Sequence, residues 1–405
     1  MSSLCSPICQ CFDYEEEEVL LVPDDSPLVG VRVLDLSRLL PGPYCSRILA
    51  DFGAEVVKVE RPGGGDWLRY APPLVDGEGI LFRVLNRGKK SLTLNLKSDE
   101  GRAVFRRLVE TADVLLEGFR PGVMKRLGLG YETLSEVNPR LVYCALSGYG
   151  PDGPYRGRAG HDLNYVGLAG LLDLTGPQDG PPAVPGALVA DLSGGLWAAV
   201  GILLAFLARE RTGRGQRVDG SLLGAALACM PVAVTRHLGG QPMARGADDL
   251  TGGLVCYHVY ETRGGGYVTL AALEPEFWAA FCQAVEREDL LGQQFAPAVP
   301  GRHAYEELCA LFRTRTREEW TEGLAGVDAC CEPVYNVGEA LVSAPVRALG
   351  MLCGEGLLPP VRLSSERTGP SPGSAPALGQ HTAEILAELG YNEAAVAALQ
   401  GQGVV

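Results

Sequence analysis

A histidine and an aspartate, 30 positions apart, are the residues of this chain best suited to move a proton. His161 lies in Gly160-His161-Asp162, and Asp191 lies in Ala190-Asp191-Leu192. An imidazole exchanges protons near neutral pH, and a carboxylate is a common partner base. Each residue opens a predicted helix, where backbone N–H groups point outward and stabilise negative charge. Two such groups on opposite sides of one carbon can remove a proton from one face and return one to the other.

Each of these residues also has a structural interpretation. His161 on its own fits a hydrogen-bonded structural histidine, and Asp191 on its own fits the cap of its helix. The occurrence of both in matching motifs favours a functional pair.

The elements that must position the pair alternate between strand and helix. The pattern predicts a strand over 31–36, a helix over 39–52 and a strand over 54–60. This strand–helix–strand unit favours an α/β fold with a parallel, Rossmann-like sheet. The glycine fingerprint G-x-G-x-x-G is missing from its first turn, and G-x-x-x-x-G-K-[ST] occurs nowhere, so dinucleotide and P-loop chemistry lose support.

The alternation continues along the chain. Strands are predicted over 91–96, 113–117 and 141–147, and helices over 100–111, 161–173, 192–211 and 221–238. A hairpin is predicted over 255–262 and 266–273, followed by helices over 275–291 and 303–324 and a final helix over 381–389. The change of pattern indicates a second, smaller α+β domain.

Charge is unevenly distributed along the 405 residues. The formal net charge is −14, and residues 1–27 supply half of it through seven acids and no Lys or Arg. The stretch 61–126 is net +5. The overall acidity argues against a nucleic-acid-binding protein, whereas the basic stretch predicts a local anion site. Cys5, Cys9 and Cys11 lack a nearby fourth ligand, so a loose acidic extension is favoured over a metal site.

Membrane insertion and export are not expected. The longest apolar run, 196–208, is shorter than the ~20 residues that span a bilayer, and it predicts a buried helix instead. Neither a secretory signal nor a C-terminal address is apparent. A cytoplasmic protein with mostly reduced cysteines is expected.

Several motifs together resemble one enzyme family. They lie at 40–43, 56–62, 86–91, 120–123, 160–165, 188–195, 273–277 and 378–382. The chain resembles the α-methylacyl-CoA racemases of the family III CoA-transferase (CaiB/BaiF) superfamily over about 28–390. The resemblance implies epimerisation of 2-methyl-branched acyl-CoA thioesters in lipid metabolism.

The same resemblance implies an interlocked homodimer with a large Rossmann-like domain and a small α+β domain in each chain. The expected division is an acidic extension 1–27, a large CoA-binding domain 28–222, a linker 223–254, a small domain 255–340, a linker 341–376 and a C-terminal return 377–405.

The resemblance also assigns roles to the acidic and histidine residues. His161 and Asp191 would be the acid/base pair, and Glu274, supplied by the partner subunit, would hydrogen-bond the histidine. Glu276, two residues on, is the competing candidate for that contact. The acyl-CoA substrate brings coenzyme A itself, and neither a further cofactor nor a metal is expected.

Coenzyme A carries several phosphates, so its site needs cations. By resemblance Arg61 meets the adenosine-phosphate region. Further candidates are Arg87, Lys89, Lys90, Arg120 and Arg126, each of which also fits a solvated surface charge.

Two other functions remain open. In a family III CoA-transferase the residue at Asp191 is a nucleophile that attacks an acyl-CoA. His161 favours the racemase, whereas the insert 69–84 looks more like a transferase. An inactive acyl-CoA-binding protein is the alternative of another class.

Overall fold

Two compact units make up the part of the chain that the structure describes. A computed structural model describes residues 26–353, 356–363 and 373–405. The first unit contains the chain up to residue 158, residues 191–221 and the chain from residue 351; the second contains 159–190 and 222–350. Residues 1–25 of the predicted extension, which include its three cysteines, lie outside the described residues.

A six-stranded parallel sheet forms the centre of the first unit. Its strands are β1 (Arg32–Asp35), β2 (Glu55–Glu60), β3 (Lys90–Thr93), β4 (Val114–Glu117), β5 (Val142–Ser147) and β6 (Arg217–Ser221). The spatial order is β3-β2-β1-β4-β5-β6, and every neighbouring pair is parallel. The order reverses between β1 and β4, and ligands of doubly wound sheets bind at that switch point. The predicted α/β class with a parallel sheet is confirmed.

Helices cover the sheet through apolar stripes. In the helix Asp99–Glu110 the buried residues Val104, Phe105, Leu108 and Val109 recur at helical spacing and join the core beside β1, β2 and β3. Its start is capped by Ser98 Oγ, which accepts from the N–H of Gly101 at 3.0 Å. The first unit also contains the helices Pro41–Asp51, Ile80–Asn86, Val123–Arg126, Tyr131–Val137, Thr382–Glu388 and Glu393–Gly401, the 3-10 turn Trp67–Tyr70, and two short ribbons, Leu74–Val75 with Glu78–Gly79 and Leu352–Cys353 with Gly356–Leu357.

The 24-residue helix Val189–Thr212 is less buried than the sequence predicts. One side approaches its neighbours closely, because a Cβ at Gly195 would lie 2.6 Å from the carbonyl oxygen of Pro41. Arg209 anchors the far end through an ion pair of 3.0 Å with Asp113. The other side exposes a stripe of large apolar residues: Leu196, Trp197, Val200, Leu203, Leu204 and Leu207. By length and composition this helix passes the test for a membrane span, a test that core helices of soluble proteins also pass.

The second unit has its own sheet and core. Strands β7 (Tyr257–Glu261), β8 (Tyr267–Ala271) and β9 (Cys331–Pro333) form an antiparallel sheet in the order β9-β8-β7. Its core contains the buried rings of Tyr260, Trp278, Phe281, Phe312 and Trp320, and Tyr260 stacks on Phe312 with ring centroids 4.7 Å apart. The helices are Asp162–Ala169, Leu171–Leu174, Leu222–Ala228, Pro231–Leu238, Pro275–Ala284, His303–Phe312, Arg317–Gly323, Val337–Val342 and Ala344–Ala348, with a 3-10 segment at Glu288–Gln293.

Several predicted boundaries differ from the structure. The predicted linker 223–254 contains two helices and belongs to the second unit, as does the segment 159–190, which was predicted in the large domain. Strand β6 lies between two predicted helices where no strand was predicted, and the helix Glu393–Gly401 follows the helix predicted to be last. The second unit is therefore assembled from two separate stretches of chain, which local patterns do not reveal.

Candidate active site

His161 stands at the start of a helix with its backbone held and its ring exposed. It immediately precedes the helix Asp162–Ala169 in an extended conformation, with φ of −126° and ψ of 173°. Its N–H donates to Asn164 Oδ1 at 3.0 Å, and its carbonyl accepts from the N–H of Asn164 at 2.8 Å. The neighbouring Asp162 is buried, whereas His161 is exposed. Local hydrogen bonds thus fix the backbone and leave the imidazole accessible for proton exchange.

Asp191 lies in the first turn of the helix Val189–Thr212 and is half-buried. A carboxylate in the first turn is stabilised by the helix dipole and by N–H groups that lack partners within the helix. A carboxylate placed there can act as a base or as a nucleophile. Asp191 belongs to the first unit and His161 to the second.

The two candidate glutamates flank the start of the helix Pro275–Ala284. Glu274 immediately precedes it, Glu276 is in its first turn, and both are exposed. The junction before them is held by the buried Gln294, whose Nε2 donates to the carbonyl of Leu273 at 3.0 Å. The backbone is therefore anchored, and either carboxylate is accessible to a further group.

A cavity of about 540 Å³ opens at the switch point of the parallel sheet. Four cationic residues line it: Arg38, Lys58, Arg61 and Lys97. Its wall includes Phe119, and the Arg38 guanidinium lies 5.6 Å from the centre of that ring. Arg61 packs over Gly64, where an added Cβ would lie 2.5 Å from the guanidinium. The cavity combines apolar walls with positive charge, which suits a nucleotide bearing phosphates.

Of these four cations, the sequence identified only Arg61. Arg38 and Lys97 follow β1 and β3, and side chains that follow parallel strands gather at one edge of the sheet. The position of each residue after a predicted strand is the sequence signal that could have identified it as a cation at the cavity. Lys58 lies between Val57 and Val59 in a largely buried strand, where a charge requires a buried partner.

That partner is Asp66, and the pair fixes the loop that enters the first helix. Lys58 Nζ lies 3.1 Å from the carboxylate of Asp66, and both side chains are fully buried. Asp66 also accepts from the N–H of Leu39 at 3.3 Å. Leu39 has φ of 64°, which is unfavourable for a leucine and needs such support. The ion pair therefore shapes the β1–helix turn beside the cavity.

Lys89 does not present its charge to a ligand, contrary to the role predicted for it. Its side chain is fully buried, and Nζ lies 3.3 Å from Asp35 Oδ2 and donates to Ser46 Oγ at 2.7 Å, Asn86 Oδ1 at 3.0 Å and the Pro43 carbonyl at 3.1 Å. Burial is the largest influence and lowers the pKa of the Lys89 ammonium to about 8, although Asp35 opposes this shift. All of its polar contacts are internal, so Lys89 is a structural residue.

Asp35 is the acidic centre of this buried cluster. Burial alone would raise the pKa of its carboxyl group, but the ammonium groups of Lys89 and Lys58 and hydrogen bonds from Ser37 and Ser46 lower it to about 2. The aspartate therefore stays ionised, and the cluster stabilises the end of β1 through these contacts.

The remaining predicted cations fall into two groups. Arg87 is mostly buried and donates to Asp51 at 2.8 Å, and Lys90 pairs with Glu55 and Glu384, both at 2.8 Å. These contacts support the fold. Arg120 and Arg126 are exposed beyond the end of β4 and do not line the 540 Å³ cavity. Arg61 is thus the one predicted cation that the structure places in it.

Metal ligands do not cluster in the described ranges 26–353, 356–363 and 373–405. No group of three or more His, Cys, Asp or Glu side chains with metal-binding geometry occurs there.

Comparison with known proteins identifies the family. The model of CoA-transferase family III matches residues 28–382. The chain is 38% identical to α-methylacyl-CoA racemase of Mus musculus over 387 residues, covering 93% of this chain and 97% of the mouse protein. It is 34% identical to succinyl-CoA:glutarate CoA-transferase of Mus musculus, covering 94% and 90% respectively.

A solved structure supports the same assignment. The crystal structure of a CaiB/BaiF family protein from Brucella suis matches with a TM-score of 0.78 and 32% identity, covering 90% of this chain and 99% of that one. The chain is a member of CoA-transferase family III. The similar proteins described above include both a racemase and a CoA-transferase.

Proposed function

We propose that the protein epimerises 2-methyl-branched acyl-CoA thioesters by two-base proton transfer. One of His161 and Asp191 removes the α-proton, and the other returns a proton to the opposite face. Their roles exchange with the epimer that is bound. The first turns that follow them offer backbone N–H groups to the enolate oxygen, and one such donor typically lowers the barrier by ~3 kcal/mol.

The exposed imidazole of His161 carries this proposal. A nucleophilic aspartate alone would serve acyl transfer, whereas a second, solvent-accessible acid/base group is what racemisation requires. Glu274 of the partner subunit would orient the imidazole and stabilise its charged form.

The cavity at the switch point is the proposed site for part of coenzyme A. We assign its adenosine-phosphate portion to the 540 Å³ cavity, with Arg38, Arg61 and Lys97 as phosphate contacts. Arg120 and Arg126, exposed nearby in the chain, are available to phosphates outside the cavity. Lys89 and Arg87 are not assigned as phosphate contacts, because they donate to acceptors within the protein.

We propose that a second copy of the chain packs against the apolar stripe of the helix Val189–Thr212. Leu204 and Leu207 are 58% and 66% exposed, and Trp197 is 56% exposed. A stripe of this kind marks an interaction surface. Sedimentation of the wild-type protein should show a dimer, and Leu204→Glu should weaken it; a wild-type monomer would contradict this part of the proposal.

The decisive experiment uses a 2-methylacyl-CoA in deuterated water. Enzyme-dependent α-deuteration and interconversion of epimers are expected. His161→Ala should slow both by ~10²–10⁴-fold, because general acid–base groups contribute in that range. His303→Ala is the matched control, since that imidazole is 78% exposed on a helix of the second unit and has no proposed role.

The second candidate is CoA transfer with Asp191 as nucleophile. Its support is the 34% identity to a CoA-transferase and the insert after β2, in which Trp67–Tyr70 and the ribbon of Leu74–Val75 with Glu78–Gly79 lie. Passage of CoA to a free carboxylic acid without α-exchange, together with hydroxylamine trapping at Asp191, would establish transfer. Binding of CoA without either activity would establish an inactive binder.

A further inference from the structure

A buried carboxyl group without a cationic partner lies at the end of β4. The Glu117 side chain is 7% exposed. Its Oε2 accepts from the N–H of Phe119 at 2.7 Å, and its Oε1 accepts from the Tyr143 hydroxyl at a longer 3.4 Å. No Lys or Arg of the described chain forms an ion pair with it. A buried acid of this kind, at the carboxyl edge of a parallel sheet, is a candidate for ligand binding.

The groups that face Glu117 come from β5, the strand next to β4, and from β6, the strand beyond it. They are Tyr143 and Cys144 of β5, and Arg217 and Asp219 of β6. Burial raises the pKa of Glu117 to about 7, while the two hydrogen bonds and the Arg217 charge oppose this shift. Arg217 is itself engaged by Asp219 at 2.8 Å. The carboxyl group therefore changes charge near neutral pH.

Glu117 opens onto a separate cavity of about 320 Å³. Three aromatic rings line it, those of Phe119, Tyr131 and Tyr143, and the last two meet edge to face with centroids 5.9 Å apart. Aromatic faces together with a carboxylate form the usual surroundings of a bound organic cation.

The charges at the cavity favour the same ligand class. Besides Glu117, its acidic lining residues are Glu132, Asp152 and Asp219, and its basic ones are Lys125, Arg156 and Arg217. With Glu117 ionised the lining is net negative by one charge. A ligand ammonium group would supply the cation that Glu117 lacks and balance this charge.

We propose that the 320 Å³ cavity binds a small molecule bearing a primary ammonium group, with Glu117 as its counter-ion and Tyr131 and Tyr143 as its aromatic walls. Among the described residues, Phe119 alone lines both this cavity and the 540 Å³ cavity. The site is therefore separate from the proposed CoA site and independent of the proposed reaction.

Calorimetric titration with n-butylamine tests the proposal, with n-butanol as the uncharged analogue and butyrate as the charge-reversed one. Butylamine is expected to bind, and its affinity should be unchanged when CoA is present at a saturating concentration. Binding at pH 7 should release protons from Glu117. Its affinity should fall about tenfold per pH unit below pH 7, because it binds the ionised form of Glu117. Neither analogue should compete.

Two variants and a control complete the test. Glu117→Gln should lower the affinity more than about tenfold, because the buried ion pair is lost. Tyr131→Leu, at a half-buried position, should lower the affinity for butylamine about threefold. If Glu117→Gln does not fold, the Tyr131→Leu variant serves as the test of the proposed site. Glu136→Gln, exposed on the same helix as Tyr131, should bind as wild type. Absence of binding, tighter binding of butyrate, displacement by CoA or wild-type binding by Tyr131→Leu would overturn the proposal.

Discussion

Asp35 and Glu117 end neighbouring strands of one sheet, and both are buried, yet their charges differ. Asp35 contacts Lys89 at 3.3 Å, and its pKa falls to about 2. Glu117 forms no ion pair within the described residues, and its burial, only partly offset by the Arg217 charge, raises its pKa to about 7. Similar position and similar burial therefore do not set the charge of a carboxyl group; a directly paired cation does.

The difference separates a structural acid from a candidate binding acid. Asp35 and its lysine neighbours have all their polar contacts within the protein, and they support the turn beside the 540 Å³ cavity. Glu117 leaves one oxygen weakly engaged and opens onto the 320 Å³ cavity. Substitutions and pH changes at these two carboxyl groups and their partners test this contrast.

Lys89→Met should be the most destabilising change, lowering the free energy of unfolding by about 3–5 kcal/mol. It removes the ammonium group and leaves the buried Asp35 carboxylate without its closest cation. Urea denaturation at pH 7 and fixed protein concentration measures the loss. Lys90→Met is the matched control: its partially exposed ion pairs should be worth less than about 1 kcal/mol. Equal losses in the two variants would contradict the structural role of Lys89.

Rising pH should destabilise the protein through Glu117. The unfolded group ionises near its ordinary pKa, while the folded group keeps its proton until about pH 7. The unfolded state therefore binds fewer protons between these values, and stability falls as pH rises, by about 3 kcal/mol in total. Wild type compared with Glu117→Gln from pH 5 to pH 8 isolates this effect. A pH-independent difference would show that the folded group titrates normally.

Falling pH should destabilise the protein through Asp35, with the opposite sign. Its folded pKa of about 2 is below its ordinary value, so its contribution is present above that value and is lost as pH falls through 2. The expected loss is about 2 kcal/mol. The stability difference between wild type and Asp35→Asn should shrink from pH 4 toward pH 2; a constant difference would argue against an ionised aspartate.

Tyr143→Phe should have the smallest effect, about 1 kcal/mol or less, because the hydrogen bond it removes is long. The same change should raise the pKa of Glu117, since that hydrogen bond favours the carboxylate. Titration followed by carboxyl NMR measures the shift. A lowered pKa would show that the hydroxyl stabilises the neutral acid instead.

Local patterns predicted most strands and helices near the sheet but missed β6. Strands β1 and β2 are largely buried and contain short apolar stretches, Val33-Leu34 and Val56-Val57, that a strand pattern detects. Strand β6 reads Arg-Val-Asp-Gly-Ser, is partly exposed, and pairs only with β5 at the sheet edge, so it carries little apolar pattern. The charged residues inside apolar strands, Asp35 and Lys58, were an unused indication of a buried ion network.

The α/β class, the family and the positions of His161 and Asp191 at helix starts follow from the amino-acid sequence, because helical and strand periodicity, turn residues and motifs are local. Which charges are open to a ligand depends on the tertiary structure. Lys89 reaches Asp35 across 54 positions, and Glu117 meets Tyr143 across 26. Whether a charge is paired, buried or exposed depends on such distant contacts, and the energy of a charge depends on its partner and its access to water.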